Sequence, residues 1–161
     1  MLQPGTLQSP ARVINPLPAI ERILLTLWIG SLWVVGLVVA PLLFAELDDR
    51  AVAGTVAGSL FAVTSYIGLG CGGMLLALNG WSYRAPNRRA VLLLAMLVLI
   101  GVGQFLLAPL IADLRLQGLT DSARFGRLHG LAGLVFLVNC VLGLVLVVMG
   151  QQPMNQSLRS R

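Results

Sequence analysis

The chain has 161 residues, 57% hydrophobic and 11% charged, with a mean hydropathy of +0.88, whereas a soluble domain carries roughly a quarter charged residues. That composition argues against a water-soluble enzyme. The formal net charge of +5 comes with no dense basic stripe and no aromatic-studded face, which excludes a nucleic-acid binder.

Four windows without a charge are each long enough to cross a hydrocarbon core, which takes about 20 residues: 23–45, 52–78, 91–112 and 128–148. The first follows a tail, 1–17, rich in Gln, Pro, Gly and Ser and expected to be flexible. Asn15 and Pro16 precede its helix, and the apolar run ends too late, at Leu43-Phe44-Ala45, for a cleaved signal peptide. Asp48 and Asp49 are placed to cap the second helix and Gly80 to follow it. Gly118 is placed to end the third, and Thr120 to Ser122 to cap the fourth. A polar tail, 151–161, closes the chain and is also expected to be flexible. The expected fold is all-α, a polytopic membrane protein whose four-transmembrane-helix bundle fills 18–150, with no soluble insertion and no strong internal repeat.

Four spans put both termini on one side. That side carries Arg12, Arg22, Arg84, Arg88, Arg89, Arg159 and Arg161 against the single acid Glu21. The other carries Arg50, Arg115, Arg124 and Arg127 against Glu46, Asp48, Asp49, Asp113 and Asp121. The excess of arginine places both termini in the cytoplasm. Trp81 and Tyr83 beside Arg84 read as an interfacial anchor on the same face.

In lipid, helices meet through small residues spaced three or four apart. Gly54 and Gly58, then Gly68 and Gly72, give the second span two such pairs; Gly30, Gly36 and Pro41 mark close approaches or bends in the first. These Gly-rich faces also make a homo-oligomer an expectation, beside the lipid bilayer itself as partner. On the fourth span Gly126, His129, Gly133, Phe136, Cys140 and Gly143 fall in one stripe at about 100° per residue, expected to face inward, with Leu131, Leu134, Val138, Val141, Val145 and Val148 facing lipid.

Few groups are left to carry chemistry. His129 is the single histidine and is expected near the far end of the bundle, where a packing role competes with a ligand or proton-relay role. Glu46, Asp113 and His129 share that end, as an acidic pocket neutralised by Arg115, Arg124 or Arg127, or as a solvated rim. Gln104 lies about 12 Å inside its span and must find a hydrogen-bond partner, most simply on a neighbouring helix. Cys71, Met74, Met96, Cys140 and Met149 offer soft ligands at no metal-site spacing. No nucleophile with its base and no phosphate loop is present. The expectation is a non-enzymatic binding, transport-accessory or assembly factor without cofactor, its polar site made by His129, Gln104, Arg127, Asp113 and Glu46. The alternative is a copper- or haem-handling protein in which His129, with Cys71 and Cys140, supplies ligands.

Trp28-Ile29-Gly30-Ser31-Leu32-Trp33, Ala40-Pro41-Leu42-Leu43-Phe44, Ala53-Gly54, Leu60-Phe61 and, above all, Phe125-Gly126-Arg127-Leu128-His129-Gly130 together resemble the transmembrane protein 205-like family, in bacteria a domain of unknown function numbered 4149. The similarity runs over about Pro18 to Gly150. It implies a four-helix integral protein of the bacterial inner membrane without an assigned activity. It brings forward Trp33, Pro41, Phe44, Gln104, Pro109, Arg127, His129 and Gly130 as residues of interest.

Overall fold

The structure, a computed structural model, describes residues 16–82 and 87–149, except the side chains of Trp81 and Ser82. Both terminal tails, Arg12, Arg84, Arg159, Arg161, Tyr83 and the Trp81 side chain therefore lie outside the described residues. Four helices are long and apolar enough to cross a membrane: α1 Leu17–Glu46, α2 Arg50–Ser82, α3 Arg88–Leu116 and α4 Ala123–Val148. They make a four-helix, multi-pass membrane bundle. Each extends beyond its charge-free window, because helix ends at the interface tolerate charge.

The punctuation accounts for most boundaries. Pro16 and Pro18 open α1, where a missing N–H costs nothing. Asp49 Oδ1 accepts from the backbone N–H of Ala51 at 2.7 Å and of Val52 at 3.2 Å, capping α2. Asn87 Oδ1 caps α3 through Ala90 N at 2.8 Å, and Ser122 Oγ caps α4 through Phe125 N at 3.2 Å. Gly118, at φ +69°, closes α3 in the left-handed region that glycine adopts freely. Gly80 does not end α2, which runs on to Ser82.

The sequence hides one element. Val34–Val39 in α1 and Val102–Leu107 in α3 are π-helical, each immediately before an Ala-Pro pair. Proline has no N–H and its ring strikes the carbonyl four residues back. The wider turn moves pairing to the carbonyl five back: Ala40 N–H donates to Val35 O, and Ala108 N–H to Gly103 O. A shift of 68 residues carries Val34–Val39 onto Val102–Leu107. A shift of 75 carries Ala57, Gly58, Phe61, Thr64 and Gly68 of α2 onto Ala132, Gly133, Phe136, Asn139 and Gly143 of α4, and Phe61 meets Phe136 edge to face at 5.3 Å. The two helical hairpins thus run in the same direction and share these positions, a weak internal similarity beside the expectation of no strong repeat.

The core lies in the half of the bundle nearer the termini: Trp28, Ile29, Cys71, Leu75, Leu93, Met96, Ile100 and Leu146. Gly68 and Gly72 make room for the Trp28 indole; a Cβ at Gly68 would fall 2.6 Å from its Nε1. Gly143 likewise admits Ile29. At the same end Glu21 and Arg89 form an ion pair of 2.9 Å between α1 and α3. Asn79 and Asn87 exchange amide hydrogen bonds of 3.4 and 3.3 Å between α2 and α3.

Toward the opposite end, which carries the short connections 47–49 and 117–122, the packing changes. α2 and α3 approach closely only along their halves nearer the termini; from Val102 onward α3 leans on α4, while the matching part of α1 stays with α2. Each hairpin keeps its own pair together there.

Candidate functional site

The polar residues of interest collect at that far end, and the structure sorts them. Arg115 sits in the last turn of α3, where a cation is favoured by the helix dipole. Its half-buried side chain turns back over α2. A Cβ at Gly54 would lie 3.1 Å from Arg115 Nη2, and one at Gly58 3.7 Å from Nη1. The guanidinium therefore occupies a notch that exists because both positions lack side chains. Among the described residues the one ion pair is Glu21–Arg89, so Arg115 has no acidic partner. Nearby acids are engaged elsewhere: Asp113 Oδ2 accepts from Gln117 Nε2 at 2.8 Å, and Asp49 caps α2.

Arg124, Arg127 and His129 occupy the first two turns of α4 and are exposed. The His129 ring stacks on Phe125, centroids 5.8 Å apart and planes 5° from parallel. Glu46, at the end of α1, and Asp113 are also exposed. Thus Glu46, Asp113, Arg127 and His129 share one end of the bundle as a rim, and no hydrogen bond or ion pair joins them. Gln104 is eleven residues before Arg115, about 16 Å deeper, and has no side-chain partner among the described residues; the expected interhelical bond is absent.

The inward stripe expected on α4 is rotated. The face turned to the bundle carries Leu128, Ala132, Val135, Asn139, Leu142 and Leu146, all buried or half-buried, whereas Gly126, His129 and Gly133 are exposed and only Phe136, Cys140 and Gly143 of the expected set turn inward. The aliphatic face expected to meet lipid is exposed throughout, from Val138 at 39% to Val148 at 76%. Glycine misled the reading because α4 carries it on two faces: Gly143 packs on Ile29, while Gly126, Gly130 and Gly133 have no neighbour within reach of an added Cβ.

Cys71 and Cys140 are free and buried. His129 lies eleven residues from Cys140 along α4, about 16 Å, so the proposed ligand set does not converge. No group of three His, Cys, Asp or Glu side chains gathers among the described residues.

Two polar atoms escaped the sequence reading. Trp28 Nε1 and Asn139 Oδ1 are buried without a partner. Asn139 interrupts an otherwise apolar span and is visible in the sequence; the Trp28 nitrogen is orphaned by its glycine slot, which only the packing reveals. A groove of about 360 Å³ beside Arg22, Ile23, Thr26 and Leu27 lies toward the end nearer the termini, away from Arg115 and His129.

A family profile described as Domain of unknown function (DUF4149) matches residues 23–120. No curated protein and no solved structure matches the chain.

Proposed function

The chain belongs to the DUF4149 family, and from that premise we propose that it is a non-enzymatic, anion-binding membrane protein working as a binding or assembly factor. Its working surface is the far end of α3 and α4, where Arg115, Arg124, Arg127 and His129 are displayed. The reading rests on one observation above all: Arg115 is half-buried in the Gly54–Gly58 notch and, among the described residues, forms no ion pair. A guanidinium at a bilayer interface presents five donors in a rigid fork, suited to phosphate and carboxylate groups. We place the protein in the bacterial inner membrane with both termini cytoplasmic, on the arginine excess of that side. Gly126, Gly130 and Gly133, open toward the bilayer, are the face we assign to self-association.

Native mass spectrometry of the full chain, extracted in mild non-ionic detergent, tests the anion-binding reading. The wild type is expected to retain anionic molecules. The triple variant Arg115→Gln, Arg124→Gln, Arg127→Gln is expected to lose them while keeping its helical circular dichroism. Equal retention by the two proteins rejects the proposal.

A further inference from the structure

We infer that the groove on the outer face of α1 binds an anionic phospholipid of the leaflet beside the termini, its phosphate on Arg22 and Thr26 and its acyl chain along Ile23 and Leu27. The inference stands apart from the anion-binding reading of the far end, because it uses other residues at the other end of the bundle. The groove measures about 360 Å³, within the range of small-ligand sites, about 300–1,000 Å³. All four of its lining residues belong to α1 and are exposed.

The groove lies where a phospholipid changes from polar to apolar. Arg22 is the last charged residue before the charge-free window 23–45. The 30 residues of α1 make about 45 Å of helix against a hydrocarbon core of about 30 Å, so Arg22 stands at the headgroup boundary. Thr26 follows one turn farther in, about 6 Å, on the same face. Ile23 and Leu27 form the adjoining row, 65% and 52% exposed. Gly30, another turn inward, is exposed and has no neighbour within 4 Å of an added Cβ, so it adds no side chain across the path of an acyl chain.

Both polar groups are without protein partners. Ser31, Thr55, Ser59 and Thr64 each donate to a carbonyl three or four residues back in their own helix, whereas neither Thr26 nor Arg22 makes a side-chain hydrogen bond or ion pair among the described residues. Glu21, the acid next to Arg22, is held by Arg89 at 2.9 Å. A guanidinium fork with a hydroxyl one turn below it offers converging donors to a phosphate.

The charge of this end selects the headgroup. It carries seven arginines against the single acid Glu21, which favours a net negative lipid over a zwitterionic one. The same charge argues against a second copy as the occupant. A two-fold dimer about the membrane normal through this face would set Arg22 against its own equivalent, a like-charge contact with Glu21 already engaged.

An open groove exchanges its lipid with the bilayer, so the test is made in the bilayer and not after detergent extraction. Full-length protein with photoreactive p-benzoylphenylalanine in place of Ile23 is irradiated in nanodiscs of equal phosphatidylglycerol and phosphatidylcholine with matched acyl chains, and its adducts are weighed by mass spectrometry. The same group in place of Val98, exposed within the charge-free window of α3, gives the reference ratio of the two lipids. At position 23 the ratio is expected to favour phosphatidylglycerol about fivefold or more above that reference, the effect of about one arginine at a membrane surface. Arg22→Gln is expected to remove about that factor, and Thr26→Val to lower the ratio about twofold or more through loss of one hydrogen bond. Arg88→Gln, which removes a charge from the same end outside the groove, is expected to leave the ratio unchanged, as is the combined replacement of Arg115, Arg124 and Arg127 by Gln, so this site and the far-end surface fail separately. Circular dichroism identifies any variant that misfolds, and Thr26→Val, nearly isosteric on an exposed face, keeps the test decisive if Arg22→Gln does. A ratio at position 23 equal to the reference overturns the site. Equal losses from Arg22→Gln and Arg88→Gln overturn it in favour of a diffuse basic surface. Chain-to-chain products in place of lipid adducts assign the face to a second copy, and absence of any adduct at position 23 alone overturns the lipid as occupant.

Discussion

Asn139 is 3% exposed in the middle of α4, and its Oδ1 has no partner. Thr64, its counterpart in the first hairpin, solves the same problem by donating Oγ1–H to Leu60 O at 2.9 Å within its own helix. The amide oxygen, an acceptor only, has no such outlet in a helix whose N–H groups are already paired. A buried polar group left unpaired costs about 1–3 kcal/mol, whereas an apolar group of similar shape is neutral or better. Asn139→Leu is therefore expected to raise the unfolding free energy by about 1–3 kcal/mol, measured by denaturant titration in detergent micelles. Destabilisation of similar size would mean that the amide is bonded in the membrane-embedded protein.

Between elements, the tightest approach at a described glycine is α1 against α4, closer than the Trp28 slot. A Cβ at Gly36 would lie 2.0 Å from Phe136 Cζ, and the ring has little freedom to yield because Phe61 stands edge-on to it at 5.3 Å. Gly36→Ala is expected to destabilise the bundle by about 1–3 kcal/mol through overpacking. Phe136→Leu in the same chain should recover most of that loss, and a double-mutant cycle of unfolding free energies measures the coupling. Additive effects would remove Phe136 as the cause. The four spans are legible in the sequence because charge is excluded from hydrocarbon and proline, glycine and Asx residues mark the ends; Ser122, Asp49 and Gly118 act as that chemistry requires. The π-helical turns are not legible, since a proline in a membrane helix is equally compatible with a kink or a bulge. Nor is the rotation of α4, because glycine serves interior packing at Gly143 and lies open to the bilayer at Gly130. The far-end residues were legible as a group of polar side chains, but Arg115's seat depends on two glycines 57 and 61 positions earlier in the chain, a pairing that only the fold supplies.

For the whole molecule, the two parallel hairpins ought to carry the same charge bias, and they do not. At its far end the first has Arg50 against Glu46, Asp48 and Asp49; the second has Arg115, Arg124 and Arg127 against Asp113 and Asp121. On the proposed topology these arginines lie on the translocated side and oppose the positive-inside rule, so the second hairpin works against the orientation favoured by the first and by the arginines beside the termini. The proposed anion binding would account for three arginines at that end. The consequence is measurable. A reporter active only in the cytoplasm, fused after Arg161, is expected to be active in the wild type. Replacing Arg115, Arg124 and Arg127 by Gln removes opposing charge, so reporter activity per molecule should hold or rise while anion retention falls. A silent reporter in well-expressed wild type would invert the topology and turn the arginine-rich end toward the cytoplasm. A variant that loses orientation together with binding would show that these arginines serve insertion and would remove the reason to assign them a ligand.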